Sequence, residues 1–111
     1  MNQTLTEEIN LLHAQICQAL ADPTRILILY SLADGPRHVT ELADMVKANQ
    51  PAISHHLKVL RERGLVTTTR EGNTIHYTLR DRRVVRAMDL LRAVMSDVLA
   101  EQVELAKAFT Q

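Results

Sequence analysis

The chain has little of what many function classes require. Its 111 residues include one cysteine, Cys17, no tryptophan, and an aromatic fraction of 3% made up of Tyr30, Tyr77 and Phe109. A single thiol excludes an intrachain disulfide framework and fits a reducing compartment, so a cytoplasmic location is expected. Three aromatic rings leave almost nothing from which to build the base-stacking platforms of single-strand or RNA-binding proteins. No apolar run approaches the ~20 residues that span a bilayer. The opening MNQTLTEEINLL carries an acidic pair where a secretory signal would carry basic charge. Neither secretion nor a membrane partner is expected. A glycine-rich phosphate loop, an HExxH, a CxxC pair and a Gly-x-Ser-x-Gly are all missing, which argues against an enzyme.

The chain also lacks net charge, with 13 basic and 13 acidic residues, and by itself this argues against a nucleic-acid partner. The distribution argues the other way. Between residues 50 and 83, seven cations (Lys58, Arg61, Arg63, Arg70, Arg80, Arg82, Arg83) face three anions (Glu62, Glu71, Asp81), a local +4 that the remainder balances with −4. Segregation of this kind lets one face meet phosphates while the other keeps the protein soluble. A hydrophobic fraction of 46% supports a globular core. The length suits one domain, residues 1–111, and a domain this small is helped by a second copy.

What is present is a succession of short helices, a hairpin and a long helix. Leu5, Ile9, Leu12, Ile16 and Leu20 recur at spacings of four and three, so they form one stripe of a first helix with Thr4 or Thr6 as its cap. Asp22 as N-cap and Pro23 at the first helical position announce a second, apolar nearly all round, which is expected to be buried and to end near Asp34-Gly35-Pro36. Thr40 to Val46 reads as a third, with Thr40 as cap, Glu41 in the first turn, and Leu42 and Val46 facing inward. After the link Lys47-Ala48-Asn49 comes a fourth, with Asn49 or Gln50 as cap, Pro51 in the first turn and Gly64 as its stop. Two helices joined by so short a turn make a helix-turn-helix.

Leu65 to Arg70 and Thr74 to Leu79 are rich in β-branched residues, and Glu71-Gly72-Asn73 between them supplies the turn. Asp81 then caps a helix of roughly 28 residues, on which Val84, Met88, Leu91, Met95, Val98 and Leu99 keep a helical period. At 1.5 Å per residue it extends ~42 Å, more than so small a domain can cover. With the first helix, it is expected to pack on the same elements of a second copy. The fold expected is mainly α with a small β-hairpin wing: a winged helix-turn-helix of order α-α-α-α-β-β-α that dimerises through its first and last helices.

A short amphipathic helix with small and polar residues at its start, followed at once by a basic two-stranded ribbon, suits insertion into a duplex groove beside a phosphate-touching wing. In the fourth helix Ile53, Leu57 and Leu60 point inward, which leaves Gln50, Ser54, His55, Lys58 and Arg61 outward or sideways, with Pro51 at the exposed start. Gln50 can pair with adenine, Ser54 and His55 can bond base edges, and Arg61 serves phosphate. Arg70 and Asn73 at the wing reach backbone or minor groove. A homodimer would set two such helices about 34 Å apart on an imperfect palindrome. The rival is a winged helix used only to bind protein, but an interface helix would expose aromatics or large apolar groups instead.

Ala19-Leu20-Ala21-Asp22-Pro23-Thr24-Arg25, then Gln50-Pro51-Ala52-Ile53-Ser54-His55-His56-Leu57-Lys58-Val59-Leu60, then Gly64-Leu65-Val66, over about residues 8 to 95, resemble the ArsR/SmtB-type family of bacterial winged-helix repressors. The resemblance implies a dimer that represses a promoter and releases it when an effector binds. The metal sites that it implies are not matched. One uses Asp-x-His at the start of the last helix and a His with a further donor later, where this chain has Asp81-Arg82-Arg83, Val94 and Asp97; arginine cannot bind Zn²⁺ and valine has no donor. The other is a cysteine cluster in the third helix, and His38-Val39-Thr40-Glu41-Leu42-Ala43-Asp44 holds no cysteine.

There remain Cys17 and His13, at i and i+4 beside the first stripe. Three readings stand: a small buried cysteine at the dimer seam, a redox-active thiol, or metal held by both residues from both chains. Adjacent His55 and His56 point about 100° apart and do not converge on one ion, so His55 reads as a DNA-side group and His56 as a packing or capping one. With neither metal nor another cofactor assigned, the alternative to an effector-released or thiol-released repressor is one with no small ligand.

Overall fold

The computed structural model describes residues 2–110, which divide into two compact units, one ending at Asp81 and the other beginning at Arg82. The first begins with α1 (Gln3–Leu12), capped by Asn2, whose side chain accepts the Leu5 N–H at 2.7 Å. The expected caps Thr4 and Thr6 lie inside the helix instead, and Thr6 donates its hydroxyl to the Asn2 carbonyl at 3.1 Å. After Leu12 the chain widens into a π turn, His13–Cys17, closed by the Gln18 N–H on the His13 carbonyl at 3.1 Å. It then tightens into a 3₁₀ turn, Ala19–Ala21. The first stripe is therefore carried on three kinds of helix rather than one.

α2 (Pro23–Ser31) starts as expected: Asp22 accepts the Thr24 N–H at 2.8 Å and the Arg25 N–H at 3.3 Å, and Pro23, which has no N–H to orphan, takes the first position. It ends at Ser31, three residues short of Asp34. Its burial is partial: Ile28 and Leu29 are sealed, but Leu27 is 52% exposed. An all-apolar run cannot say which of its sides the rest of its own chain will cover.

α3 (Val39–Val46) is capped by His38 rather than Thr40. The His38 Nδ1 accepts the Glu41 N–H at 3.3 Å while a Glu41 carboxylate oxygen accepts the His38 N–H at 3.2 Å, a reciprocal capping box. Lys47, in the left-handed region at φ 57°, reverses the chain. Asn49 then caps α4 (Gln50–Glu62) by accepting the Ala52 N–H at 2.8 Å. Beyond α4, Gly64 at φ 77° lets the Leu65 N–H turn back to the Leu60 carbonyl at 2.9 Å, a stop that residues with a Cβ adopt only with strain.

β1 (Val66–Glu71) and β2 (Thr74–Leu79) pair antiparallel from Val66 with Leu79 to Glu71 with Thr74. Glu71 thus belongs to the ladder, and only Gly72 and Asn73 form the turn, with Gly72 at φ 61°. A bridge joins Arg37 to Tyr77 through N–H···O bonds of 3.0 and 2.8 Å, tying the wing to the segment before α3. The core is built from Ile28, Leu29, Leu32, Leu42, Ile53, Leu57, Leu60 and Val66, each 2% exposed or less, at roughly 1.5–3 kcal/mol per side chain buried. It lies where α2, α3 and α4 meet under β1, so α4 is fixed from behind.

The second unit is α5 (Arg83–Phe109). Its 27 residues match the expected length, but Arg82 stands at its N-cap position with no side-chain cap bond, so the start falls later than an Asp81 cap would place it. None of its side chains is buried, and Leu91, Met95 and Leu99 are all more than half exposed. Among the described residues no helix is long and apolar enough to cross a membrane.

Candidate nucleic-acid interface

With Ile53, Leu57 and Leu60 at 0% exposure, the side of α4 that faces away from the core is set. At 100° per residue, Gln50, Pro51, Ser54, His55, Lys58 and Arg61 fall within an arc of about 140°, and all six are exposed. Lys58 and Arg61 make no ion pair or side-chain hydrogen bond with any described residue, so both are available to a ligand. Glu62 shares the arc and is its only anion. Gln50 is less free: its Nε2 donates to the Thr40 Oγ1 at 3.4 Å, joining the starts of α3 and α4.

Beside α4 stands the hairpin. Asn73 is exposed at its tip, and Arg70 is exposed with its Nε donating to the Gly72 carbonyl at 3.3 Å, so the guanidinium lies back over the turn. Between α4 and the hairpin runs an open cleft of about 480 Å³, lined by His38, Val39 and Thr40 at the start of α3, Ser54 of α4, and Asn73, Thr74, Ile75 and Tyr77 of the wing. Only Ser54 and Asn73 of these were legible as site residues from the sequence. The rest are brought in by the Arg37–Tyr77 bridge and the His38 cap, which have no strong local signature. The rings of His38 and His76 meet edge to face at 5.9 Å, joining α3 to the wing.

Two arginines tie the segment before α2 to α2 and α4. Arg25 of α2 donates its Nε to the Ala19 carbonyl at 2.6 Å and a terminal nitrogen to the Gln18 carbonyl at 3.2 Å, while its other terminal nitrogen meets the His56 Nδ1 at 3.4 Å. Arg63, just past α4, donates one terminal nitrogen to the Ala14 carbonyl at 2.6 Å and to the Gln15 side chain at 3.3 Å. Arg63 thus leaves the cation set that the sequence offered to phosphate. His56 is half-buried in this contact, whereas His55 stays exposed.

Two carboxyls at helix starts, Asp22 before α2 and Glu41 in the first turn of α3, are shifted. Slight desolvation pushes Asp22 upward, but the N–H groups of Thr24 and Arg25 and the charges of His56 and Arg25 outweigh it and hold the group below its ordinary range. For Glu41 the His38 N–H is the largest influence and it too lowers the carboxyl, with Arg37 at 3.6 Å acting in the same sense.

The effector residues look different from their expectation. Cys17 and His13 lie in the π turn rather than on an α-helix, and both are exposed, so the chain itself does not supply the buried packing site expected for Cys17. Among the described residues no three His, Cys, Asp or Glu side chains converge as metal ligands. Asp81, Arg82, Arg83, Val94 and Asp97, of which only the two aspartates could ligate a metal, do not fit the metal site implied by the resemblance.

The sequence matches the model of the bacterial regulatory protein, arsR family, over residues 22–68. It is 46% identical over 76 residues to the HTH-type transcriptional regulator NmtR of Mycobacterium tuberculosis, a match covering 68% of this chain and 63% of NmtR. The chain therefore spans just under two thirds of that relative's length. To the HTH-type transcriptional regulator CmtR of Mycobacterium bovis it is 39% identical over 89 residues, 80% of this chain and 75% of that protein. The solution structure of the homodimeric winged helix-turn-helix DNA-binding domain of Mb0332 from Mycobacterium bovis superposes with a TM-score of 0.74 at 29% identity, covering 89% of this chain and 91% of that one. The helices and the two-stranded wing agree with these matches, and the chain belongs to the arsR family of bacterial regulatory proteins.

Proposed function

We propose that the protein is a sequence-specific regulator that binds duplex DNA as a homodimer and represses transcription by occupying an imperfect palindrome. The observation that carries this reading is the arc of α4. A core-anchored helix presents two unpaired cations and four further exposed residues, five of the six polar, beside a hairpin that exposes Arg70 and Asn73. Gln50, Ser54 and His55 would read base edges in the major groove, Lys58 and Arg61 would meet phosphates, and Arg70 and Asn73 would touch backbone or minor groove.

Dimerisation is supported by apolar surface that nothing in the chain covers. On α1, Leu5, Ile9, Leu11 and Leu12 are 38–62% exposed; on α5 the series runs from Leu90 to Phe109. Faces of this size on a monomer are interface-like. We assign α1 and α5 to the seam, with both units acting as one DNA-binding domain, residues 1–111. The exposed thiol of Cys17, in the segment that Arg25 and Arg63 grip, supports release by a thiol signal over a constitutive repressor.

The test is titration of a duplex, selected by the protein from a randomised 30-base-pair pool, at several salt concentrations. If Lys58 and Arg61 each neutralise a phosphate in both protomers, the logarithmic salt slope lies near −4, with Arg70 adding up to about −2. Lys58→Ala should lower the affinity and flatten the slope by one to two. Selection of no sequence, or a slope near zero, would refute duplex recognition.

A further inference from the structure

A helix in the major groove and a wing at the neighbouring minor groove are separated, on any duplex, by one phosphodiester strand. In this fold the space separating the two elements is the cleft of about 480 Å³ floored by the start of α3. Its wall carries no Lys or Arg. Beside His38 and the apolar Val39 and Ile75, it presents neutral donors: the hydroxyls of Thr40, Ser54, Thr74 and Tyr77 and the amide of Asn73.

The groups around Thr40 are arranged to donate. The capping box uses the N–H groups of His38 and Glu41 but leaves those of Val39 and Thr40 without a partner among the described residues. The Thr40 oxygen already accepts from Gln50 Nε2 at 3.4 Å, which leaves its own hydroxyl hydrogen free to point elsewhere. An acceptor-rich, anionic ligand is what such a wall can satisfy. A base edge, which offers donors and acceptors together, suits it less well.

We propose that this cleft is the seat of the phosphodiester strand between the two grooves, with Thr40, Ser54 and Thr74 as hydroxyl donors to it and Gln50 as a positioning residue that orients Thr40. The inference rests on the duplex-binding reading above and adds Thr40 and Thr74, which the motif face of α4 does not contain. It also moves Ser54 from a base edge to the phosphate and changes the role of Gln50, whose contact with Thr40 competes with reading adenine.

Neutral donors differ from cations in a measurable way. A hydroxyl on a phosphate strengthens binding without releasing a counterion, so its loss lowers the affinity at every salt concentration and leaves the slope unchanged. The experiment uses the full chain and the pool-selected duplex, synthesised as a series in which one phosphate at a time becomes a neutral methylphosphonate. The wild-type protein should lose about tenfold in affinity at one or two linkages per half-site. Thr40→Val and Thr74→Val should each bind the unmodified duplex about five- to tenfold more weakly with an unaltered salt slope, and should lose most of their sensitivity to methylphosphonate at that linkage. Thr40→Ser, which keeps the hydroxyl, should behave as wild type, separating donation from packing. Valine variants as sensitive as wild type at every linkage would overturn the proposal, as would a Thr40→Ser variant as weak as Thr40→Val. Failure of the duplex-binding reading would look different: no sequence would emerge from the pool, and no linkage would matter for any variant.

Discussion

Removing the Arg25 side chain should cost this protein more than most single changes at a half-exposed position. Its guanidinium makes three contacts, and their lengths rank them: 2.6 Å to the Ala19 carbonyl, 3.2 Å to the Gln18 carbonyl and 3.4 Å to the His56 Nδ1. Hydrogen bonds from a charged donor contribute about 1.5–3 kcal/mol, and the short one to Ala19, a residue 1% exposed, belongs near the upper half of that range. The bond to Gln18 is open to solvent and adds about half that or less, and the third lies at the edge of hydrogen-bond geometry. Arg25→Ala should therefore destabilise by about 2–3 kcal/mol, a fall in Tm of roughly 10 °C for a chain of this size. Thermal unfolding followed by circular dichroism, at one fixed protomer concentration because a dimer's Tm depends on it, measures the change. Arg25→Lys, with one ammonium for two carbonyls, should recover less than half. The ranking makes a second demand: His56→Ala should cost under about 1 kcal/mol, with a coupling to Arg25 near zero in a double-mutant cycle. A His56→Ala variant that reproduced the whole loss would refute the carbonyl grip, and so would an Arg25→Ala protein melting within 2 °C of wild type.

Other outcomes follow from the same contacts and surfaces. Asp22 has a folded-state pKa below its unfolded one, so its contribution is complete above about pH 4 and is lost as pH falls through the folded value; Asp22→Asn keeps a cap acceptor, and the stability gap between the two proteins should be constant above pH ~5 and close below pH ~4. A gap unchanged down to about pH 3 would contradict the lowered carboxyl. Leu91, 60% exposed on α5, is assigned to the dimer seam, so Leu91→Asp places a carboxylate there from each copy and should weaken the dimer at least ~100-fold in sedimentation equilibrium. An undisturbed dimer would move the seam elsewhere. Peroxide should weaken duplex binding by the wild type and leave Cys17→Ser unaffected; equal responses in the two proteins would remove Cys17 from signalling.

Features set by a few neighbouring residues could be read before the fold was known. Asp22-Pro23, Asn49 with Pro51, and Gly64 act through bonds of two to five residues' reach, and each delimits its helix as expected. The outward arc of α4 follows from three inward aliphatic residues and the helical period. What stayed hidden depends on partners far along the chain. The π turn at His13–Cys17 has no sequence signature of its own, and one of its carbonyls, that of Ala14, is held by Arg63 from 49 residues away. Histidine is an uncommon N-cap, so Thr40 looked the better choice until Glu41 was seen to bond back to His38. The cleft needs α3, α4 and the hairpin together, and its lining residues are spread from His38 to Tyr77, far beyond the reach of local pattern. Asymmetry of this kind also explains α2: its apolar circumference says that every side can be covered, not that its own chain does so.

The basic residues divide by what their neighbours leave for them to do. A local excess of +4 suggests seven interchangeable cations, yet Arg63 spends its guanidinium on Ala14 and Gln15, and Arg70 lies back on Gly72. Outside the cluster, Arg25 holds two carbonyls and Arg37 joins Glu41. A planar fork with several donors suits such carbonyl-gripping tasks, whereas the one lysine on α4, Lys58, stands unpaired at the surface, a compact mobile charge suited to phosphate. With so few cations free, long-range attraction to DNA is weak for a net-neutral chain, and non-specific binding should be weak with it. Affinity must then come in good part from short-range donors held at fixed positions. Neutral hydroxyls in a cleft anchored to the core supply such donors to the backbone and fix the register in which the base-edge residues of α4 discriminate.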